Sequence, residues 1–149
     1  MLSLFLTWYT FSIMNTKTFL KVVAKVTVLS VIGNVILTLA GRAISMPPET
    51  FAPYTYPPVI GLTVVGILAG AVVYYAMRKK YTDTAKANRH FMILSAIVLL
   101  ASFYPDLALP WSTDADEVGW TFGIMANLML MHVVTGGLVM YYFTRKDLA

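Results

Sequence analysis

Residues 119–143 read GWTFGIMANLMLMHVVTGGLVMYYF, an apolar run with a single histidine, His132, near its middle. A helix needs about 20 apolar residues to cross a hydrocarbon core of about 30 Å. The run is long enough, and it lacks the polar–apolar alternation of a barrel strand. Because backbone groups in lipid must bond to one another, we expect a membrane-spanning helix over about residues 117–143.

Three upstream stretches have the same character, at about residues 19–42, 57–77 and 91–109. Short connections favour successive helices that run in opposite directions. The sequence therefore predicts an all-α fold, a polytopic membrane protein built as an antiparallel bundle of four transmembrane helices. Residues 17–149 are expected to form this single domain.

Residues 1–16 are interpreted separately, because their apolar part is too short to span a membrane and lacks the basic start of a signal peptide. Two interpretations are open. The segment is either an interfacial one that lies along the membrane surface or an extension upstream of a start at Met14.

The composition excludes an ordinary soluble enzyme. Of the 149 residues, 58% are hydrophobic and 12% charged, and the mean hydropathy is +0.72. Soluble domains carry about 25% charged residues. The absence of cysteine excludes disulfides, thiolate catalysis and cysteine metal sites. With only two histidines, we expect no metal site.

Basic residues indicate the orientation. Ten of the eleven lysines and arginines precede or open the first helix, join the second and third, or follow the fourth, which leaves Arg42 alone on the other side. The positive-inside rule assigns the basic side to the cytoplasm. We therefore expect both termini to be cytoplasmic, in the plasma membrane of a prokaryote. The net charge of +4 follows from this pattern and indicates no nucleic-acid partner.

Small residues and helix breakers predict local features. Gly66 and Gly70 have GxxxG spacing, and we expect them to pack against neighbouring helices of the same bundle rather than form a dimer face. Pro105 should distort the third helix near its outer end. Ser112, Thr113 or Asp114 is expected to cap the fourth helix. The acidic residues Asp114, Asp116 and Glu117 lack the spacing of a calcium loop.

Polar residues inside apolar spans are candidates for function. They are Asn34, Thr38, Ser102, Asn127 and His132. Asn34 and His132 lie at similar depth, so we hypothesise a polar centre in which they bind a ligand or relay protons. The structural alternative is that they join helices through hydrogen bonds.

Arg42 and Asp106 form a second candidate, because both lie at the outer ends of their helices. A pair between them would act as a clamp between helices or as part of an outward-facing anion site. His132 is also the one plausible axial ligand for a haem or chlorin, although His90 lies at another depth and offers no second ligand. We therefore expect no cofactor.

The order of these features resembles an uncharacterised family of small prokaryotic four-helix membrane proteins, a domain of unknown function. The resemblance rests on a first helix that ends near Arg42, a proline-led second helix that ends in RKK, a third that ends in Pro105 and Asp106, and a fourth that reads LMLMHVVTG and then YYFTRK. It covers about residues 14–145. It implies the four-helix fold and no particular activity.

The sequence thus favours a non-enzymatic membrane protein, a ligand-binding or accessory subunit of a membrane complex. The alternative is an oligomeric small transporter or channel that uses His132 as a proton relay. An enzyme is disfavoured because His132 has only amides and hydroxyls as neighbours in its expected surroundings. Expected partners are membrane lipids, a second copy of the chain, or a larger membrane complex.

Overall fold

The structure, a computed structural model, describes residues 15–114, 117 and 119–145. Residues 1–14 lie outside the described residues, so both interpretations of the first segment stay predictions. Throughout the described ranges the regular structure is helical and contains no strand. The α-helices are α1 (Thr16–Ser45), α2 (Tyr56–Lys80), α3 (Thr84–Ser102), α4 (Tyr104–Ala108) and α5 (Phe122–Phe143). Short 3-10 helices cover Ala52–Tyr54 and Leu109–Trp111.

Four segments are long and apolar enough to cross a membrane, as the composition predicted. They are Thr16–Ser45, Tyr56–Lys80, Thr84–Trp111 and Phe122–Phe143. The third segment contains α3, α4 and the second 3-10 helix. The predicted class, an all-helical protein with four candidate membrane spans, is confirmed.

Helix α1 lies against both α2 and α5, and its contact with α5 is the most extensive in the bundle. Its buried residues recur every three or four positions, which places them on one face of the helix. They are Phe19, Val23, Val26, Ser30, Asn34, Thr38 and Gly41. The polar residues Ser30, Asn34 and Thr38 therefore face the other helices, whereas the apolar residues Ile36 and Leu39 face outward.

An aromatic cluster closes one end of the bundle. The rings of Tyr74 and Phe91 are 4.9 Å apart, and those of Phe19 and Phe143 are 5.4 Å apart. These residues come from the starts of α1 and α3 and the ends of α2 and α5. The Tyr74 hydroxyl donates to the side-chain oxygen of Asn88 at 2.8 Å. Edge-to-face aromatic contacts and this hydrogen bond together hold four helices at one level.

The connection between α1 and α2 folds inward and closes the other end. Phe51 and Tyr54 are fully buried there. The Arg42 guanidinium donates from Nε and Nη2 to the backbone oxygen of Tyr54, at 3.2 and 2.9 Å. The Tyr54 hydroxyl accepts a hydrogen bond from Asn127 at 2.8 Å. We call the segment Phe51–Tyr54 the plug.

The third span breaks at Phe103, where the sequence predicted a distortion. Helix α3 ends at Ser102, and Pro105 lies in the first turn of α4. Proline has no N–H to donate and its ring collides with the preceding turn, so a continuous helix is interrupted. The break sets the direction of α4 and therefore of Asp106.

The predicted cap of the last helix is wrong. Helix α5 begins at Phe122 and is capped by Thr121, whose Oγ1 accepts from the N–H of Ile124 at 3.2 Å. Ser112, Thr113 and Asp114 precede this start by too many residues to reach its free N–H groups. Gly119 between them adopts φ of 99°, a left-handed conformation that no helix contains.

The glycine prediction holds only in part. Gly70 approaches Val139, and Gly136 approaches Leu99, so these two glycines do allow close contact between helices. Gly66, by contrast, has no neighbouring atom within 4 Å of where a Cβ would stand. Gly66 lies on the wall of an open cleft rather than against another helix.

Candidate functional site

A cleft of about 660 Å³ runs between α2, α3 and α5. Helix α4 borders it at one end, and Asn34 of α1 reaches it from behind. Most of the wall is apolar, with Val73, Leu99 and Val139 as examples. Binding sites for small molecules have volumes of about 300–1,000 Å³ and mainly apolar walls with a few placed polar groups. The cleft has the size and character of such a site.

The cleft opens at the side of the bundle, between α2 and α3. Leu62 and Val98 line it, yet they are 73% and 57% exposed. Helix α3 buries only Ala87 and Phe91, both near its start. Beyond Phe91 no residue of α3 is buried, although Leu99 contacts Gly136 of α5, so the side of the span that carries Val98 is open to the surroundings. In a bilayer this open side faces lipid.

His132 and Asp106 meet at the wall of the cleft. His132 Nε2 lies 3.4 Å from Asp106 Oδ2. The Asp106 side chain is 10% exposed and that of His132 is 41% exposed. Asp106 reaches α5 because the helix break at Phe103 turns α4 toward it. A buried carboxyl group beside a partly exposed imidazole thus gives the mainly apolar wall of the cleft a pair of titratable groups.

Asn34 joins three helices at the back of the cleft. Its Nδ2 donates to the hydroxyl oxygens of Thr63 and Thr135, at 2.8 and 3.0 Å. The Thr63 hydroxyl itself donates to the backbone oxygen of Val59 at 2.6 Å. Because the single hydroxyl proton of Thr63 is used in the bond to Val59, the Thr63 oxygen must accept a hydrogen bond from Asn34. This requirement fixes the orientation of the Asn34 amide. Asn34 therefore ties α1 to α2 and to α5.

The hypothesised polar centre of Asn34 and His132 corresponds to two residues that line one cleft without a direct contact between them in the hydrogen-bond network of the described residues. Both residues line the same cleft, and Thr135, which bonds Asn34, stands one turn from His132 on α5. No hydrogen bond joins Asn34 to His132 in the described part of the chain. The two residues face one volume and do not form one bonded group.

The remaining polar candidates separate into two roles. Ser102 lines the cleft, although its hydroxyl donates to Leu99 O at 2.7 Å. Asn127 donates to Leu37 O at 3.0 Å and to the Tyr54 hydroxyl, and Thr38 donates to Asn34 O at 2.8 Å. Asn127 and Thr38 lie away from the cleft wall and hold the bundle and its plug together.

The expected pair of Arg42 and Asp106 does not form. Arg42 donates to the Tyr54 backbone oxygen, and Asp106 Oδ2 instead lies 3.4 Å from His132 Nε2. No sequence pattern indicates that the plug folds back onto α1 and presents a carbonyl to Arg42. Asp106, which lies in α4 after the helix break at Phe103, contacts His132 of α5.

Among the described residues outside the spans, Tyr54 of the plug has a shifted pKa. Burial raises the pKa of its phenol above the ordinary value. The hydrogen bond from Asn127 opposes this rise, and the nearby Asp106 carboxylate adds to it. The neutral phenol is therefore the form that the fold accommodates.

Metal and cofactor ligands were expected to be absent, and this stays a prediction. The described ranges hold no group of three or more His, Asp or Glu side chains that could bind a metal ion. Asp116, one of the acidic loop residues, lies outside those ranges. His132 Nε2 is turned toward Asp106, so a haem or chlorin would have to displace this contact to be ligated through that nitrogen.

Two residues of the site escaped the sequence interpretation. Thr63 sits alone in an apolar helix, and only the position of Asn34 opposite it shows its role as an acceptor. Tyr54 lies between two apolar stretches, a place typical of an aromatic residue at the membrane interface, but it is fully buried. The spacing of polar residues in a sequence indicates which of them share one face of a helix. It does not indicate which residues on different helices form hydrogen bonds with each other.

These features define a small multi-pass helical membrane protein with a side cleft. The chain belongs to a family of unknown function, DUF6069, whose sequence profile matches residues 14–148. This membership confirms the predicted resemblance. No curated protein and no solved structure matches the chain.

Proposed function

We propose that the protein binds a small, mainly apolar molecule in the cleft between α2, α3 and α5 and does not convert it chemically. The observation that carries the proposal is the side opening of a 660 Å³ cleft whose apolar wall holds His132 and Asp106. When an apolar molecule moves out of water, its free energy falls by about 25 cal/mol for each Å² of apolar surface that is buried. Within lipid that gain vanishes, so shape and the few polar groups must provide selectivity.

Native mass spectrometry of the protein released gently from its own membrane tests this proposal. We expect an added mass from a non-protein molecule. Gly66→Leu should abolish the added mass, because Gly66 lines the cleft and its Cβ position has free space around it. Gly61→Leu is the matched control, since Gly61 has equally free space but does not line the cleft. A wild-type protein without added mass, or equal masses in both variants, would overturn the proposal.

We also propose that the protein acts as an accessory subunit of a larger membrane complex. Its support is the exposed apolar surface of α3, which includes Ile97, Val98 and Leu100. The same mass spectra should contain an unlike subunit. Spectra with the single chain alone at every gentle release condition would contradict this role.

The orientation belongs to the same proposal: both termini in the cytoplasm of a prokaryotic cell. Its support is the distribution of basic residues, ten of eleven on one side. The chain has no cysteine, so single introduced cysteines can be labelled without background. In intact cells an impermeant maleimide should label Thr50→Cys, and it should label Thr82→Cys only after permeabilisation. The reverse pattern would invert the topology.

A second candidate is an oligomeric transporter in which His132 relays protons. The contact of His132 with Asp106 in a partly exposed cleft favours it, since titratable groups within membrane spans commonly mark proton pathways. Proton flux into liposomes under an imposed potential should disappear in His132→Ala and persist in His90→Ala. Equal flux in the two variants would remove His132 as the relay.

A further inference from the structure

Two acceptor oxygens of residues that line the cleft make no hydrogen bond, although one of them, Asp106 Oδ2, lies 3.4 Å from His132 Nε2. Asn34 Oδ1 and Asp106 Oδ2 are both buried without a hydrogen-bond partner, and both residues line the cleft. The two residues are 3% and 7% exposed. A buried polar atom without a partner costs about 1–3 kcal/mol, so native proteins rarely leave one. A ligand that brings hydrogen-bond donors would therefore complement these two oxygens.

The fixed geometry of Asn34 excludes the simplest remedy. Rotating its amide by half a turn would move the nitrogen to the unpaired position, but it would set the oxygen against Thr63 Oγ1. That hydroxyl already donates to Val59 O. Two acceptors would then face each other, and the donor bonds to Thr63 and Thr135 would be lost. The oxygen of Asn34 consequently stays on the unpaired side.

The charges around the cleft select a cation. Its described lining contains two carboxylates, Asp106 and Glu117, one imidazole, His132, and neither lysine nor arginine. Arg42, the basic residue nearest in sequence to the plug, is directed to the Tyr54 backbone oxygen. An anionic head would meet like charge in a poorly solvated place, and even a protonated His132 would leave the carboxylates in excess.

We propose that the ligand is an amphiphilic amine, with its ammonium at Asp106 and its apolar body along α2 and α3. An ammonium group carries three donors and no acceptor, which matches a wall that offers acceptors. Hydrogen bonds between charged groups are roughly twice as strong as neutral ones. The side opening between Leu62 and Val98 lets a hydrocarbon chain enter from lipid. This inference rests on the proposed function, because it names the class of molecule that the cleft binds.

Three probes of equal chain length test the head group: decylamine, decanol and decanoate. Each is titrated into the full chain in phosphatidylcholine nanodiscs, and binding is followed by native mass spectrometry. We expect decylamine to bind at least about tenfold more tightly than decanol, and decanoate most weakly. Equal binding of the three probes, or tightest binding of decanoate, would overturn the amine class while leaving a ligand-binding cleft. No binding of any probe would overturn the proposed function itself.

Asp106→Asn tests the contact at the head. The change keeps the shape of the side chain and removes its charge, so decylamine affinity should fall about tenfold or more while decanol affinity changes little. Asp114→Asn removes the same charge from an exposed loop position and should change neither the decylamine affinity nor the decanol affinity. Thermal unfolding of both variants shows whether they are folded. Unchanged decylamine affinity in folded Asp106→Asn would overturn the proposed contact.

If Asp106→Asn unfolds, Glu117→Gln provides the second variant, since Glu117 also lines the cleft. Glu117→Gln should lower the affinity for decylamine and leave the affinity for decanol unchanged. An equal effect on both affinities would contradict a cation at this site. Nanodiscs that contain phosphatidylethanolamine identify the source of the amine. Competition with decylamine would point to a lipid head group, and its absence to a free amine, and both results support the amine class.

Discussion

Two glycines of the bundle differ in what a methyl group would meet. At Gly41 an added Cβ would stand 2.5 Å from Asn127 Nδ2 and from the Tyr54 hydroxyl. At Gly66 nothing lies within 4 Å of that position. Gly41 therefore lets α1 approach the plug, although no spacing pattern in the sequence distinguishes this glycine. Gly66 has the GxxxG spacing but does not pack against a helix.

The first prediction follows from this contrast. Gly41→Ala should lower the free energy of unfolding by about 1–3 kcal/mol, because overpacking forces neighbours to shift. Gly66→Ala should change it by less or raise it, since alanine favours a helix by about 1 kcal/mol over glycine. Unfolding in mixed micelles measures both. A larger loss in Gly66→Ala than in Gly41→Ala would contradict the packing described for α1.

Asn34 gives the second prediction. Asn34→Ala removes the two hydrogen bonds that join α1 to α2 and α5, and the expected loss of unfolding free energy is about 1–3 kcal/mol. Thr27→Val is the control, because the Thr27 hydroxyl donates to Val23 O of its own helix and joins no second helix. Equal stability of the two variants would show that Asn34 contributes no net bond between helices.

The helices themselves were largely predictable from hydropathy, but their ends were not. Each predicted span overlaps an observed one, because a run of about 20 apolar residues has few alternatives in a membrane. The ends depend on caps and backbone conformations that hydropathy does not encode. The start of α5 at Phe122 follows the left-handed Gly119 and the Thr121 cap, although the aromatic and apolar run begins earlier.

Thr121 provides the third prediction, at the scale of the helix. Thr121→Ala removes the side-chain acceptor for the N–H of Ile124, and loss of such a cap costs about 0.5–2 kcal/mol. Thr113→Ala, at an exposed position before the helix, should leave the stability almost unchanged. Thermal unfolding compares the two. A greater effect at Thr113 would place the helix start earlier than the structure does.

At the scale of the whole molecule, the plug closes one end of the bundle and carries an ionisable group. Tyr54 has a raised pKa mainly because it is buried. A raised pKa means that the folded protein holds the phenol proton more tightly than the unfolded chain. Its contribution is intact below the ordinary phenol pKa of about 10 and is lost as the pH rises through the folded value.

The fourth prediction is therefore an alkaline loss of stability. Between about pH 9 and pH 11, the wild type should lose more unfolding free energy than Tyr54→Phe, which has no phenol to ionise. Tyr56→Phe, at a partly exposed neighbouring position, should follow the wild type. Parallel curves for the wild type and Tyr54→Phe would show that the plug tolerates a phenolate.

The candidate site could be predicted only as a set of residues. Hydropathy identifies His132, Asn34 and Asp106 as polar groups in or near apolar spans, since each stands out from its neighbours. Which of them meet depends on the bend at Phe103 and on the order of helices around the bundle. Both are properties of tertiary packing, so the contact of Asp106 with His132 replaced the expected one with Arg42.

The side opening between Leu62 and Val98 has a consequence for how occupancy is set. A molecule that enters there arrives from the hydrocarbon phase, so its driving concentration is its mole fraction among the lipids. Two compounds with the same affinity for the cleft but different oil–water partition would then saturate it at different aqueous doses. Diluting the protein with more lipid at constant total compound should empty the cleft, whereas diluting the whole sample with buffer should leave a strongly partitioning compound bound.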